Sequence, residues 1–116
     1  MIQTVKDSDT RPWFFLQTAH TTYGMRVMET GHLEHLYYGE RITVDSQDPS
    51  SCAPLVIQRA FAPGNTCTYD REHPQISMED ICLEVGTLGK GDIREPFLEV
   101  RFADGSVTSD FTFDSY

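Results

Sequence analysis

The sequence is poor in positive charge. Against 18 aspartates and glutamates it carries 9 lysines and arginines, for a formal net charge of −9. Phosphate recognition needs clustered Lys and Arg, so this balance argues against nucleic acid and against an anionic membrane surface. No apolar run approaches the ~20 residues of a membrane-spanning helix. The opening MIQTVKDSDT lacks the hydrophobic core of a secretory signal. Cysteine is scarce as well. Cys52, Cys67 and Cys82 lie too far apart for the CxxC pairs of zinc or redox sites, which favours reduced thiols in a cytoplasmic protein. There is no GxSxG elbow, and no segment sustains a helical apolar stripe.

What is present is a chain of 116 residues, enough for one small domain, with 7 Phe and 5 Tyr to build a core. The prevailing period is two. In TTYGMRVMET, Tyr23, Met25 and Val27 share one face and Gly24, Arg26 and Met28 the other. FLEVRF and SVTSDFTF alternate in the same way, joined by ADGS, whose Asp104-Gly105 predicts a two-residue hairpin loop. Further strands are predicted at 14–18, 33–38, 55–60 and 81–85. SMED at 77–80 predicts one short helical turn, with Ser77 capping the amide of Asp80. Residues 45–54 and 62–75 read as loops. The fold class expected is all-β, an antiparallel β-sandwich with at most one helical turn. The chain stops in FTFDSY, at an uncovered strand edge, which predicts a fragment of a longer protein.

Residues 31–39, GHLEHLYYG, concentrate candidate chemistry. A metal shared by His32 and His35 would need a spacing of two on a strand or four on a helix. At a spacing of three, a regular strand sends the imidazoles to opposite faces, so no metal site is expected. The same alternation places Leu33, His35 and Tyr37 on one face and Glu34, Leu36 and Tyr38 on the other. GTLGKGDIREP at 86–96 fails as a phosphate loop, because Gly91 follows Lys90 and no helix opens there. Its Asp92 and Glu95 could pair as catalytic acids, but a glycine-hinged structural turn explains them better. Trp13, Tyr37, Tyr38 and Tyr69 are candidates for stacking on sugar rings, weighed against burial in the core.

Two stretches together carry a family resemblance. FFLQTAHTTYGMRVMETGHLEHLYYGERI and REHPQISMEDICLEVGTLGKGDIREPFLEVRFADGS resemble the start of the large microbial α-galactosidases of glycoside hydrolase family 36. They share a Thr-Tyr strand leading to Gly-His-Leu-x-His-Leu-Tyr-Tyr-Gly, then a Gly-x-Gly-Asp-aromatic-Arg-x-Pro turn and an Asp-Gly hairpin. Ile93 stands where an aromatic is usual and Gly24 where a larger residue is common, and residues 45–65 match least.

The resemblance implies a retaining hydrolase of terminal α-galactosides of the melibiose and raffinose type. Such a mechanism uses two carboxylates about 5–5.5 Å apart. In the family they lie in a (β/α)8 barrel, which needs ~250 residues of its own. By resemblance, then, residues 1–116 are the first part of an N-terminal supersandwich domain. This domain packs on the chain's own catalytic barrel and supports a homo-oligomer. No catalytic residue, metal or cofactor is expected here. Asp45, Asp48, Asp92 and Arg94 are the candidates for touching substrate, in a neighbouring subunit's pocket. The alternatives are a free-standing carbohydrate-binding module and a purely structural dimerisation domain.

Overall fold

The computed structural model describes residues 1–57, 68–89 and 94–116. Four strands form one antiparallel meander in the order β1 (Ile2–Lys6), β2 (Pro12–Gln17), β3 (Thr21–Val27) and β4 (Leu33–Glu40). Local chemistry explains each reversal. Between β1 and β2 the Asp7 carboxylate accepts from the amides of Asp9 and Arg11 and from the Arg11 guanidinium. Between β2 and β3 the Thr18 hydroxyl accepts from the amides of His20 and Thr21. Between β3 and β4 a tight turn closes from the Gly31 amide to the Met28 carbonyl, with Gly31 at φ 85, where a side chain would be strained.

The registers sort the side chains by face. Val5, Trp13, Phe15 and Gly24 share one face, and residues 42–56 cover it. Three buried or half-buried side chains fasten that cover. Gln3 donates to the Val44 carbonyl, Gln17 donates to the Ile42 carbonyl, and the Thr22 hydroxyl accepts from the Ile42 amide. Val44 and Cys52 thereby join Val5, Trp13 and Phe15 in the main core. A 3-10 helix, Pro49–Leu55, carries Cys52 inward. Met28, Ile76, Met78 and Ile81 form a second core at the β3–β4 end of the sheet. On the opposite face Phe14 meets the rings of Phe113 and Tyr116 at 5.9 and 5.1 Å.

The all-β antiparallel expectation holds, with specific corrections. β1 was not predicted, and there are two 3-10 helices, Pro49–Leu55 and Met78–Asp80, rather than one helical turn. Ser77 does not cap the second with its side chain. Its hydroxyl is buried and unpartnered, and the turn closes through its carbonyl instead. The Asp104-Gly105 turn forms, with the Phe102 amide on the Ser106 carbonyl at 2.9 Å and Gly105 at φ 86. Its arms do not pair as a ladder, because each finds other partners. Leu98 bridges Thr87, the Ser109 amide reaches the Leu88 carbonyl, and the Phe113 amide reaches the Gly31 carbonyl. Phe97, Phe102 and Phe111 are left exposed. Residues 81–85 contribute a single bridge, Leu83 to Glu34, against the outer edge of β4. Leu55 closes a 3-10 helix, and residues 58–60 of the strand predicted there lie outside the described residues.

Candidate functional site

Residues 31–39 are resolved by a bulge. Gly24 pairs with Tyr37 but Met25 pairs with His35, so Leu36 is the extra residue of β4. The bulge inverts the alternation beyond it and corrects the predicted faces. His35 and Tyr38 now lie on one face, both against Tyr23, at ring distances of 5.0 and 5.9 Å. Tyr37 turns to the other face with Gly24, and its hydroxyl donates to the Glu40 carbonyl. His32 is not on the strand at all. It sits in the preceding turn, 4% exposed.

The two histidines serve two carboxylates in the same way. His32 Nε2 donates to Asp110 at 2.6 Å, and the Tyr69 hydroxyl donates to the other oxygen of Asp110 at 2.8 Å. Its Nδ1 shares a hydrogen bond with the Thr30 hydroxyl at 2.8 Å. His35 Nδ1 donates to Glu84 at 3.0 Å, and the Tyr23 hydroxyl donates to the second Glu84 oxygen. Burial, reinforced by the carboxylate each one faces, pushes the Tyr23 and Tyr69 phenols up to about 12. Each His–carboxylate–Tyr group pins a later segment onto the sheet. The arrangement fastens chain rather than presenting a nucleophile. Among the described residues no three His, Cys, Asp or Glu side chains gather as a metal site.

Sequence reasoning missed Glu34. It is 1% exposed and accepts from Arg26 Nε at 2.8 Å and Nη2 at 2.7 Å, while the guanidinium lies 5.4 Å from the centre of the Trp13 ring. The signal was available in the sequence, since a hairpin around Gly31 sets Arg26 opposite Glu34.

The predicted substrate residues are dispersed. Asp48 caps the first 3-10 helix, accepting from the Ser50 amide at 3.0 Å and hydroxyl at 2.6 Å. Asp45, in the same exposed loop, accepts from the Gln47 amide at 2.9 Å. Arg94 donates to the carbonyls of Met78 and Ile81 at 3.0 and 2.8 Å, clipping its turn to the second core. Arg94 and Glu95 also line a hollow of about 210 Å³ with Cys82 and Phe97. Asp92 lies outside the described residues, as do Lys90 and Cys67. A cleft of about 320 Å³ is lined by Asp7, Arg11, Arg26 and Glu29 among others and includes none of the four. Of the aromatic candidates, Trp13 is buried, Tyr69 is spent on Asp110, and Tyr38 is 70% exposed, so they form no common platform. Cys52 and Cys82 are free thiols, and burial pushes the Cys52 thiol up. No helix of the described residues is long and apolar enough to cross a membrane.

An antiparallel sheet with one face covered by irregular chain and the other covered in part by Phe113 and Tyr116 defines a β domain. Residues 31–116 match the glycosyl hydrolase family 36 N-terminal domain, and the chain belongs to that family. It is 35% identical over 104 residues to the bifunctional α-galactosidase/sucrose kinase AgaSK of Mediterraneibacter gnavus, a match over 89% of this chain and 10% of that protein. The crystal structure of the α-galactosidase from Lactobacillus brevis superposes with a TM-score of 0.76 at 32% identity, over 96% of this chain and 14% of that one. The family 36 α-galactosidase AgaA of Geobacillus stearothermophilus, in complex with raffinose, shares the fold with a TM-score of 0.72 at 21% identity, over 89% of this chain and 13% of that one. The chain thus spans a small part of the relatives it matches.

Proposed function

We propose that residues 1–116 are the non-catalytic N-terminal part of an α-galactosidase that releases terminal α-galactose, from sugars such as melibiose and raffinose, with retention. The observation that carries this reading is the family 36 N-terminal match across residues 31–116, in a chain covering 10% of a 35% identical α-galactosidase. The local chemistry supports a scaffold role. Glu34, Glu84 and Asp110 are all engaged by Arg, His or Tyr partners, so none is poised as nucleophile or acid/base. The retaining pair belongs to a catalytic barrel elsewhere in the same polypeptide. Free thiols at Cys52 and Cys82 suit a cytoplasmic enzyme.

In this reading the domain packs on its own barrel and supports a homo-oligomer, in which the exposed loop bearing Asp45 and Asp48 and the turn bearing Asp92 and Arg94 approach a neighbouring subunit's sugar pocket. The test is kinetic. In the complete translation product, Asp45→Asn or Asp48→Asn raises KM for raffinose more than it lowers kcat, and residues 1–116 alone hydrolyse nothing. Unchanged KM in every loop variant removes the substrate role. An enzyme sedimenting as a monomer removes the oligomer.

A further inference from the structure

Where β1 turns into β2 and β3 runs out, a cleft of about 320 Å³ opens beside the second core. Its volume is at the lower end of the about 300–1,000 Å³ usual for small-ligand sites. Buried Met28, Ile76 and Ile81 give it an apolar floor, and Asp7, Arg11, Arg26, Glu29 and Gln75 supply polar walls. Those walls hold hydrogen-bonding capacity that the fold does not use. Arg26 spends Nε and Nη2 on Glu34, while Arg11 spends Nε on Asp7 and Nη2 on Asp9. Nη1 of each guanidinium has no partner among the described residues. The same is true of the exposed Glu29 carboxylate and the exposed Gln75 side-chain amide.

We propose that this cleft holds one hexose unit of a neutral saccharide. Sugar hydroxyls donate and accept at once, and the cleft offers both kinds of partner. Guanidinium and amide N–H groups donate, and carboxylate and amide oxygens accept. Charge favours a neutral ligand. Arg11 and Arg26 are balanced by Asp7 and Glu29 in the lining, with Asp9 and Glu34 bonded to them as well, so an anion gains little. A purely apolar ligand would leave the polar walls desolvated and unpaired. The C–H face of a pyranose instead rests on the aliphatic floor of Met28, Ile76 and Ile81, while its hydroxyls meet the walls. The chemistry of the cleft stands without the α-galactosidase reading, which supplies only the choice of raffinose as probe.

The experiment titrates raffinose against the complete translation product by saturation-transfer NMR, with 1-deoxygalactonojirimycin in excess to occupy a galactose-cleaving site. A saturable raffinose signal is expected to persist under that block. The variant carrying Glu29→Ala and Gln75→Ala, both at exposed positions, is expected to bind raffinose about tenfold more weakly under the same block. Arg11→Ala should weaken it by a similar factor, and without the block all variants should cleave raffinose at the parent rate. Loss of the signal in the blocked parent protein overturns the proposal and leaves the α-galactosidase reading intact. A persisting signal of equal strength in every variant puts the bound sugar elsewhere and also overturns it. Binding that the variants weaken, in a protein that never cleaves raffinose, would sink the α-galactosidase reading and uphold the cleft.

Discussion

His32 and Asp110, 78 positions apart in sequence, meet at 2.6 Å with the imidazole 4% exposed. The contact joins the first sequence signature to the end of the chain, beside the Phe113 amide bound to the Gly31 carbonyl. Asp110→Asn weakens a charge-assisted hydrogen bond of about 1.5–3 kcal/mol and takes the second carboxylate oxygen from Tyr69. Hydrogen exchange at Phe113 is expected to quicken at least tenfold, while amides of β1 and β2 keep their protection. Unchanged exchange at Phe113 would show that the aromatic contacts alone hold this segment.

Glu34 is the most deeply buried charged side chain among the described residues, and its partner Arg26 is half-buried. Arg26→Met takes away both guanidinium donors to Glu34, and removing one partner of such a pair costs about 3 kcal/mol. The urea midpoint should fall accordingly. A double-mutant cycle with Glu34→Gln should show coupling above about 1 kcal/mol. Additive effects would mean that Glu34 is sustained by its other contacts.

Gly24 explains itself by its neighbour. A Cβ there would sit 3.0 and 3.1 Å from the Phe15 ring, in the main core, and Phe15 is 0% exposed. Gly24→Ala therefore destabilises by about 1–3 kcal/mol through overpacking. Adding Phe15→Leu should recover part of that loss, and the urea midpoints of the single and double variants measure it. A neutral Gly24→Ala would mean that the ring has room to move.

The Tyr23 and Tyr69 phenols give alkaline behaviour a definite sign. Their folded values stand at about 12, against an ordinary value of 10.0. Between those values the unfolded chain binds fewer protons than the folded one, so stability falls as pH rises from 10 towards 12. Below pH 10 both states keep the proton and the slope vanishes. Tyr23→Phe should flatten the fall in melting temperature across that window, and an unchanged slope would contradict a Tyr23 phenol raised by burial and by Glu84.

Much of this architecture was legible in the residues. Period-two alternation placed β2, β3 and β4, because one face of each strand is buried and that face must be apolar. The bulge at Leu36 was not legible, since one extra residue changes no local preference yet moves Tyr38 to the face of His35. The arms of the Asp104-Gly105 hairpin misled for a related reason. Their alternation suits a sheet with an apolar layer against it, whereas Phe97, Phe102 and Phe111 here remain exposed. The expectation that His32 and His35 share no metal was reasoned from strand parity, whereas His32 in fact lies in the turn before β4 and the two imidazoles face different carboxylates. Arg94 was visible only as a charge in a loop. Its bonds to the Met78 and Ile81 carbonyls depend on a 3-10 turn whose packing no sequence window shows.

The most direct test is hydrolysis of raffinose, followed by galactose release, using the complete translation product and residues 1–116 side by side. The account predicts turnover by the complete protein, with the α-anomer of galactose formed first, and none by residues 1–116. Galactose release by residues 1–116 alone, or none by the complete protein, would contradict it.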